Sequence, residues 1–273
     1  MLTLIIGKQS NLSKQINIKL DNSILISSRE LTDNIKLLDK YKNQKINIIF
    51  NNFQSASMIN DISQEYKYIQ QSIGITAMVL SYIKNWNINK IIYSSSSSVY
   101  GNNSYCNESD TLQPISLHAS LKISNEFLLT QHCKKYNIEY TIIRIFNMYG
   151  RDDDFSVISK IISAYKNDTI LNIVNEGKGI RDFIHIDDVV DIILKLIFIK
   201  DITILNLGTG DEKSINNIIE YLKKNDIFIK TNNIIIENEI KISISDSEKL
   251  LRIMDNQFID VEEYILDTIK EKN

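Results

Sequence analysis

Short apolar runs alternate along this chain with longer stretches whose apolar residues recur every three or four positions. Leu2 to Ile6, Ser23 to Ser27, Ile46 to Phe50, Lys90 to Ser94, Tyr140 to Phe146 and Thr203 to Leu207 have strand length and apolar content. Between them the spacing predicts helices over Ser10 to Leu20, Glu30 to Tyr41, Tyr66 to Lys84 and Ala119 to Tyr136. In the second of these, Leu31, Ile35, Leu38 and Tyr41 fall three or four apart. Further helices are expected at Phe155 to Tyr165, Asp187 to Ile199, Ser214 to Lys224 and Asp260 to Lys270. Buried strands that alternate with helices mean βαβ units, so the expectation is α/β: a doubly wound parallel sheet covered on both faces. Arg29 to Lys45 has room for a helix but shows no strand, so that part of the sheet should be abbreviated. After Gly150 the pattern loosens. Residues 151–273 are therefore read as a smaller C-terminal region, with segments that return to the sheet.

Composition narrows the partners. The chain has 273 residues, with 31 Lys+Arg against 34 Asp+Glu and a formal net charge of −3, so no basic excess points to nucleic acid. No apolar run approaches the ~18 residues of a membrane span. The first residues lack a basic n-region and a small-residue cleavage site. A soluble, cytoplasmic protein is expected. Cys106 and Cys133 do not form a C-x-x-C pair and read as packing thiols. His132 and His185 have no metal-ligand spacing and are read as structural. Asp187 and Asp188 are read as a helix cap and a dipole partner, and no metal site is expected.

With 8 glycines and one proline in the whole chain, each carries more information than usual. The first strand runs into Gly7-Lys8-Gln9-Ser10-Asn11-Leu12-Ser13 and then a helix. A Rossmann-type fold binds pyrophosphate at such a place, on the open N–H groups of the helix. The pattern here is G-x-x-S-x-x-S, with serine at two positions where glycine is usual. Gly7, Ser10 and Leu12 are the candidate contacts, and a plain strand–loop–helix is the alternative. The second strand ends in Ser28 and Arg29, where folds that read NAD place an acidic residue. A Ser/Arg pair suits a 2′-phosphate, which favours NADP over NAD; an exposed arginine with no ligand is the other reading. Residues 1–150 are accordingly expected to be a dinucleotide-binding domain.

The run Ile91-Ile92-Tyr93-Ser94-Ser95-Ser96-Ser97-Ser98-Val99-Tyr100-Gly101 is the most specific stretch. A strand ending in stacked serines and V-Y-G resembles the extended short-chain dehydrogenase/reductases, and within them the nucleotide-sugar epimerase, dehydratase and reductase group. Gln71-Ser72-Ile73-Gly74 sits where that family has N-V-x-G. Arg144 to Gly150 is similar to R-x-F-N-x-Y-G, Gly177 to Val189 to G-x-x-x-R-D-F-I-H-V-D-D-V, and Asn206 to Gly210 to N-L-G-T-G. The resemblance covers nearly the whole chain.

It implies a hydroxyl, a proton shuttle and a lysine at the reacting carbon. These fall on Ser96, His118 and Lys122, the last two in Pro114-Ile115-Ser116-Leu117-His118-Ala119-Ser120-Leu121-Lys122, against the family's P-x-S-x-Y-x-x-x-K. Lys122 would also hold the nicotinamide ribose. His118 stands where the family has tyrosine. It can shuttle a proton itself, leave that task to another donor or water, or mark a protein that binds without redox turnover. An adjacent Lys122 ammonium should push its pKa down. Ser97 and Ser98 occupy the positions of the dehydratases' Asp-Glu pair, which argues against dehydration. Ser97, Asn147 and Arg181 would contact the substrate, a nucleotide-diphosphate sugar, with the Arg181 guanidinium on the diphosphate. An ion pair from Arg181 to Asp182 or Asp187 is the alternative. The resemblance thus implies NAD(P)H-dependent reduction of a 4-keto nucleotide sugar in polysaccharide precursor synthesis. A 4-epimerase with tightly bound NAD, or a silent nucleotide-binding homologue, are the alternatives. The two long helices, Tyr66 to Lys84 and Ala119 to Tyr136, would pair in a homodimer.

Overall fold

The computed structural model describes residues 1–51, 64–237, 239–254 and 257–271. In chain order its elements begin β1 (Leu2–Ile6), α1 (Asn11–Lys19), β2 (Ser23–Ile26), α2 (Ser28–Asp33), β3 (Ile46–Phe50), α3 (Glu65–Ile69), α4 (Ile75–Ile83) and β4 (Ile88–Ser96). They continue with β5 (Tyr105–Cys106), α5 (Leu117–Tyr136), β6 (Glu139–Ile145), β7 (Asn147–Tyr149), α6 (Val157–Lys166), β8 (Leu171–Val174), β9 (Ile180–Arg181) and β10 (Phe183–His185). The last are α7 (Ile186–Leu196), β11 (Ile204–Leu207), β12 (Lys213–Ser214), α8 (Ile215–Lys224), β13 (Thr231–Ile234), β14 (Ile242–Ser245), α9 (Glu248–Leu251) and α10 (Val261–Lys270). They divide into two units, one of Met1–Val99, Pro114–Arg144 and Val190–Leu205, the other of Tyr100–Gln113, Ile145–Val189 and Asn206–Asn273.

In the first unit a six-stranded sheet has the order β11-β6-β4-β3-β1-β2. Strands β2, β1, β3 and β4 run parallel, and every residue of β1 and β3 is buried. Burial on both faces is the reason these strands read as unbroken apolar runs. The chain leaves β1 to one side for β2 and to the other for β3, so β1 is the point where the winding direction reverses. The doubly wound α/β fold is the one the sequence predicts. Helices α4 and α5 add Val79, Leu80, Ile83, Leu129 and Cys133 to the core under this sheet.

The expected helix over Glu30 to Tyr41 is broken. Asn34 is extended, at φ −153° and ψ 94°, and its side chain accepts the Lys36 N–H at 3.1 Å. A short amide side chain that binds the backbone competes with helix continuation. The chain restarts as a 3-10 helix, Ile35–Tyr41, with Leu31, Leu38 and Tyr41 still buried. No strand forms between β2 and β3, so among the described residues β2 is the sheet edge. The expected helix from Tyr66 to Lys84 is α3 and α4 joined by a π-helical turn, Gln70–Gly74.

The second unit holds smaller sheets, β12-β9-β14-β5, β10-β7 and β13-β8, over a core of Ile158, Ile161, Ile218, Leu222, Ile265 and Ile269. Strands β13 and β14 were not legible in the apolar pattern. All four residues of β13 are exposed, so its pairing with β8 leaves no alternation to read.

Candidate functional site

The parallel register aligns the carboxyl ends of β1 to β4, with Ile6 opposite Ile26 and Phe50, and Phe50 opposite Tyr93. Gly7, Ser27 and Asn51 therefore follow their strands at one end of the sheet, level with Ser94 in β4. Gly7 has φ +119°, a conformation that glycine takes without a side-chain clash. Its N–H donates to the Ile26 carbonyl at 3.0 Å, and its carbonyl accepts from Ser10. Ser10 occupies the N-cap of α1 but makes no side-chain cap bond. Its hydroxyl instead accepts from Asn51 Nδ2 at 2.9 Å, as does that of Ser13. Among the described residues, Asn51 Oδ1 is buried without a partner. An uncapped helix start after a left-handed glycine is a place where backbone N–H groups can meet phosphate oxygens. Leu12 is fully buried and shapes the turn from inside. Ser28 and Arg29 lie in the first turn of α2, which Ser27 caps, and Arg29 is exposed. The residues present fit a dinucleotide.

Ser96 ends β4, and its hydroxyl accepts the Ser98 N–H at 3.2 Å. Ser97 opens the following 3-10 turn, Ser97–Tyr100. Ser116 caps α5 by accepting from Ala119 at 3.2 Å, which sets the helix start one residue before His118. His118 and Lys122, four apart, therefore share one face of α5. Lys122 is buried, and its Nζ donates to the Ser94 carbonyl at 2.8 Å and stands 5.3 Å from the Tyr93 ring centroid. Burial lowers the Lys122 pKa to about 8, against the opposing pull of the Glu126 carboxylate. His118 is held down at about 4. The sequence pointed to Lys122 as the cause; burial is the larger one and Lys122 the second.

Two partners of this cluster were missed. Tyr68, on α3, places its hydroxyl 2.9 Å from His118 Nδ1. Nothing local marks it, because it meets a residue 50 positions away. Glu126, one turn beyond Lys122, binds Arg144 through Oε2 to Nη2 at 2.8 Å and Oε1 to Nε at 3.2 Å, and also accepts from Ser95. The i, i+4 spacing from Lys122 was the available signal.

The depressed His118 pKa has a consequence for stability. As pH falls from 6.5 towards 4, the unfolded chain takes up a proton that the folded ring refuses, so stability is lost over that window. Allowing for partial exposure, the loss is about 2 kcal/mol by pH 4.5. His118→Gln should remove that part of the acid destabilisation. Urea midpoints of both proteins at pH 7 and 4.5 check it; parallel losses would mean His118 is not the titrating group.

In the second unit Asn147 opens β7 and donates to the Asp182 carbonyl at 2.9 Å. Arg181 ends β9. Its ion partner is neither Asp182 nor Asp187 but Glu239, at 3.1 Å. Asp182 is fully buried, and its carboxylate accepts from Thr209 N and Oγ, Gly210 N and Ser245 N at 2.8 to 3.1 Å, fixing the N-L-G-T-G turn. Burial raises its pKa in spite of those donors. Asp187 pairs with Arg151, and Asp188 accepts the Ile259 N–H at 3.0 Å. Both lie in the first turn of α7, and Asp188 also ties down the segment at Ile259. Glu239 also lines a cavity of about 810 Å³, with Asn102, Ser104, Lys178 and Lys241. His185 packs against Tyr149 and Tyr264, and His132 against Tyr136. Among the described residues no group of three His, Cys, Asp or Glu side chains could hold a metal ion. Among the same residues no helix is long and apolar enough to cross a membrane.

Residues 8–208 match the NAD dependent epimerase/dehydratase family. The chain is 30% identical over 195 residues to Protein CapI of Staphylococcus aureus, a match covering 67% of this chain and 58% of that protein. It thus spans less than two thirds of the length of that curated relative. A UDP-N-acetylglucosamine 4-epimerase from Methanobrevibacter ruminantium M1, solved with UDP-N-acetylmuramic acid, superposes with TM-score 0.84 and 25% identity, covering 98% of this chain and 97% of that one. MoeE5 in complex with UDP-glucuronic acid and NAD has TM-score 0.88 at 19% identity, covering 100% and 99%, which shows a shared fold.

Proposed function

The chain belongs to the NAD dependent epimerase/dehydratase family, and we propose that it reduces the 4-keto group of a nucleotide-diphosphate sugar with NADPH or NADH, in polysaccharide precursor synthesis. The observation that carries this reading is the His118–Lys122 pair on one face of α5, with the Lys122 ammonium fixed on the Ser94 carbonyl near the end of β4. The dinucleotide, when bound, supplies or accepts the hydride at C4. Gly7, Ser10 and the start of α1 would hold its pyrophosphate, Lys122 its nicotinamide ribose, and Ser28 with Arg29 a 2′-phosphate if the cofactor is NADP. Ser96 would hydrogen-bond the sugar oxygen and His118 exchange its proton, with Ser97 beside the sugar. Asn147 and Arg181 would take the diphosphate. For that, Arg181 exchanges one anionic partner, Glu239, for another. Exposed Tyr66 on α3 and Phe127 on α5, 74% and 67% accessible, suit a homodimer built on these helices. We place the protein in the cytoplasm, where nucleotide sugars are made.

The second reading, a 4-epimerase, is favoured by the likeness to the UDP-N-acetylglucosamine 4-epimerase. Purified protein incubated with UDP-glucose, UDP-glucuronic acid, UDP-N-acetylglucosamine and 4-keto nucleotide sugars separates the readings. A reductase consumes NADPH or NADH one for one with product. An epimerase interconverts C4 epimers with no net change at the reduced-nicotinamide band. Binding of nucleotide sugars without turnover of any would leave the silent binding module and overturn both.

A further inference from the structure

Tyr68 and His118 meet through one hydrogen bond, phenolic oxygen to Nδ1, at 2.9 Å. Tyr68 is 2% exposed, and no second partner for its hydroxyl is found among the described residues. That argues for one direction of the bond. If Nδ1–H donated to the phenol, the phenolic hydrogen would have no acceptor among the described residues, at about 1–3 kcal/mol. With the phenol donating, Nδ1 accepts and the ring hydrogen sits on Nε2.

We propose that Tyr68 fixes His118 as the Nε2–H tautomer and stands behind it as its proton store, so that the pair does the work of the single tyrosine in the family pattern. The inference rests on the reading of His118 as the proton shuttle. Burial pushes Tyr68 up to about 12 and, with Lys122, holds His118 near 4, so at neutral pH each is uncharged and carries one proton. A neutral imidazole that gives up its Nε2 proton alone becomes an anion. With Tyr68 behind it, Nδ1 takes the phenolic proton as Nε2 releases its own. One N–H and one O–H bond break, and one O–H bond (on the sugar oxygen) and one N–H bond form. The imidazole stays neutral, the charge is left on the Tyr68 oxygen, and a proton from solvent restores it. In the oxidising direction the same two transfers run backwards, once the pair has given one proton to solvent and the phenolate with Nδ1–H is in place. Tyr68 is a positioning residue that acts through His118, and the hydride is no part of the relay.

Nitrogen-15 NMR of histidine-labelled protein reads the tautomer directly. The chain has 3 histidines, so loss of signals in His118→Gln assigns the ring. The wild type should show Nε2 protonated and Nδ1 bare at pH 7, and Tyr68→Phe should shift His118 towards a tautomer mixture. In turnover, Tyr68→Phe should lower kcat roughly 10²-fold with KM unchanged. In a His118→Tyr background the Tyr68→Phe change should matter less than about threefold, because the relay has no second member there. A wild-type Nδ1–H tautomer, or a Tyr68→Phe protein with the same tautomer and kcat, overturns the proposal. If no nucleotide sugar turns over, the functional reading fails alone, and the tautomer measurement still decides the pairing.

Discussion

Glu126→Ala is expected to cost about 3–5 kcal/mol of folding stability, the scale for one partner removed from a buried ion pair. Arg144 is 3% exposed, and its guanidinium is gripped by both carboxylate oxygens, while Ser95 donates to one of them. Without Glu126 a guanidinium that cannot shed its proton loses its buried carboxylate partner beside β4. Replacing both partners at similar volume, Glu126→Leu with Arg144→Met, should restore most of the loss, because neither charge then has to be desolvated. Denaturant midpoints of the single and double variants check this. A single variant within about 1 kcal/mol of wild type would show that the pair is not the buried fork described. The same change bears on the site. Glu126 opposes the fall in the Lys122 pKa, so its loss should lower that pKa further.

That coupling marks the limit of what the sequence could reveal. The sheet was legible because strands buried on both faces must be apolar along their length, as β1 and β3 are. His118 and Lys122 were legible as a pair because helix geometry makes residues four apart neighbours. Glu126 was missed, although the same rule could have found it. Tyr68 was not, nor was Glu239 as the partner of Arg181, because each contact joins residues 50 or more apart in sequence. Neither residue type nor spacing encodes such a meeting. The break at Asn34 was hidden for a different reason. The apolar spacing from Leu31 to Tyr41 suits one helix as well as two short ones, and the asparagine side chain decided between them. Strand β13, exposed throughout, had no pattern to offer.

Lys122→Met should make the protein more stable and cut its turnover steeply, two effects of one cause. Lys122 is 5% exposed, and burial brings its pKa from 10.5 to about 8. At pH 7 it is protonated in both the folded and unfolded chain, so folding carries the whole penalty of desolvating the ammonium, about 3 kcal/mol. Methionine fills similar space without the charge. Against this gain, the Ser94 carbonyl loses its 2.8 Å donor, at about 1–3 kcal/mol. A net stabilisation of about 1 kcal/mol is expected at pH 7. The sign of the pH dependence gives an independent check. As pH rises through 8, the folded chain releases a proton that the unfolded chain keeps until about 10.5, so wild-type stability gains from this residue between those values. The gain should be absent in Lys122→Met, which makes the difference between the two proteins shrink and then reverse as pH rises. Turnover should fall by about 10²–10⁴-fold, because the proposed proton shuttle loses its neighbouring cation and the proposed ribose contact goes with it. Thermal melts at pH 7 and 10, with activity measured on the same samples, test both halves. Stability lost together with activity would mean that Lys122 serves packing alone, and unchanged turnover would remove it from the site. A charge buried for its chemistry weakens the fold that holds it, so removing the charge should strengthen the fold and cut the chemistry together.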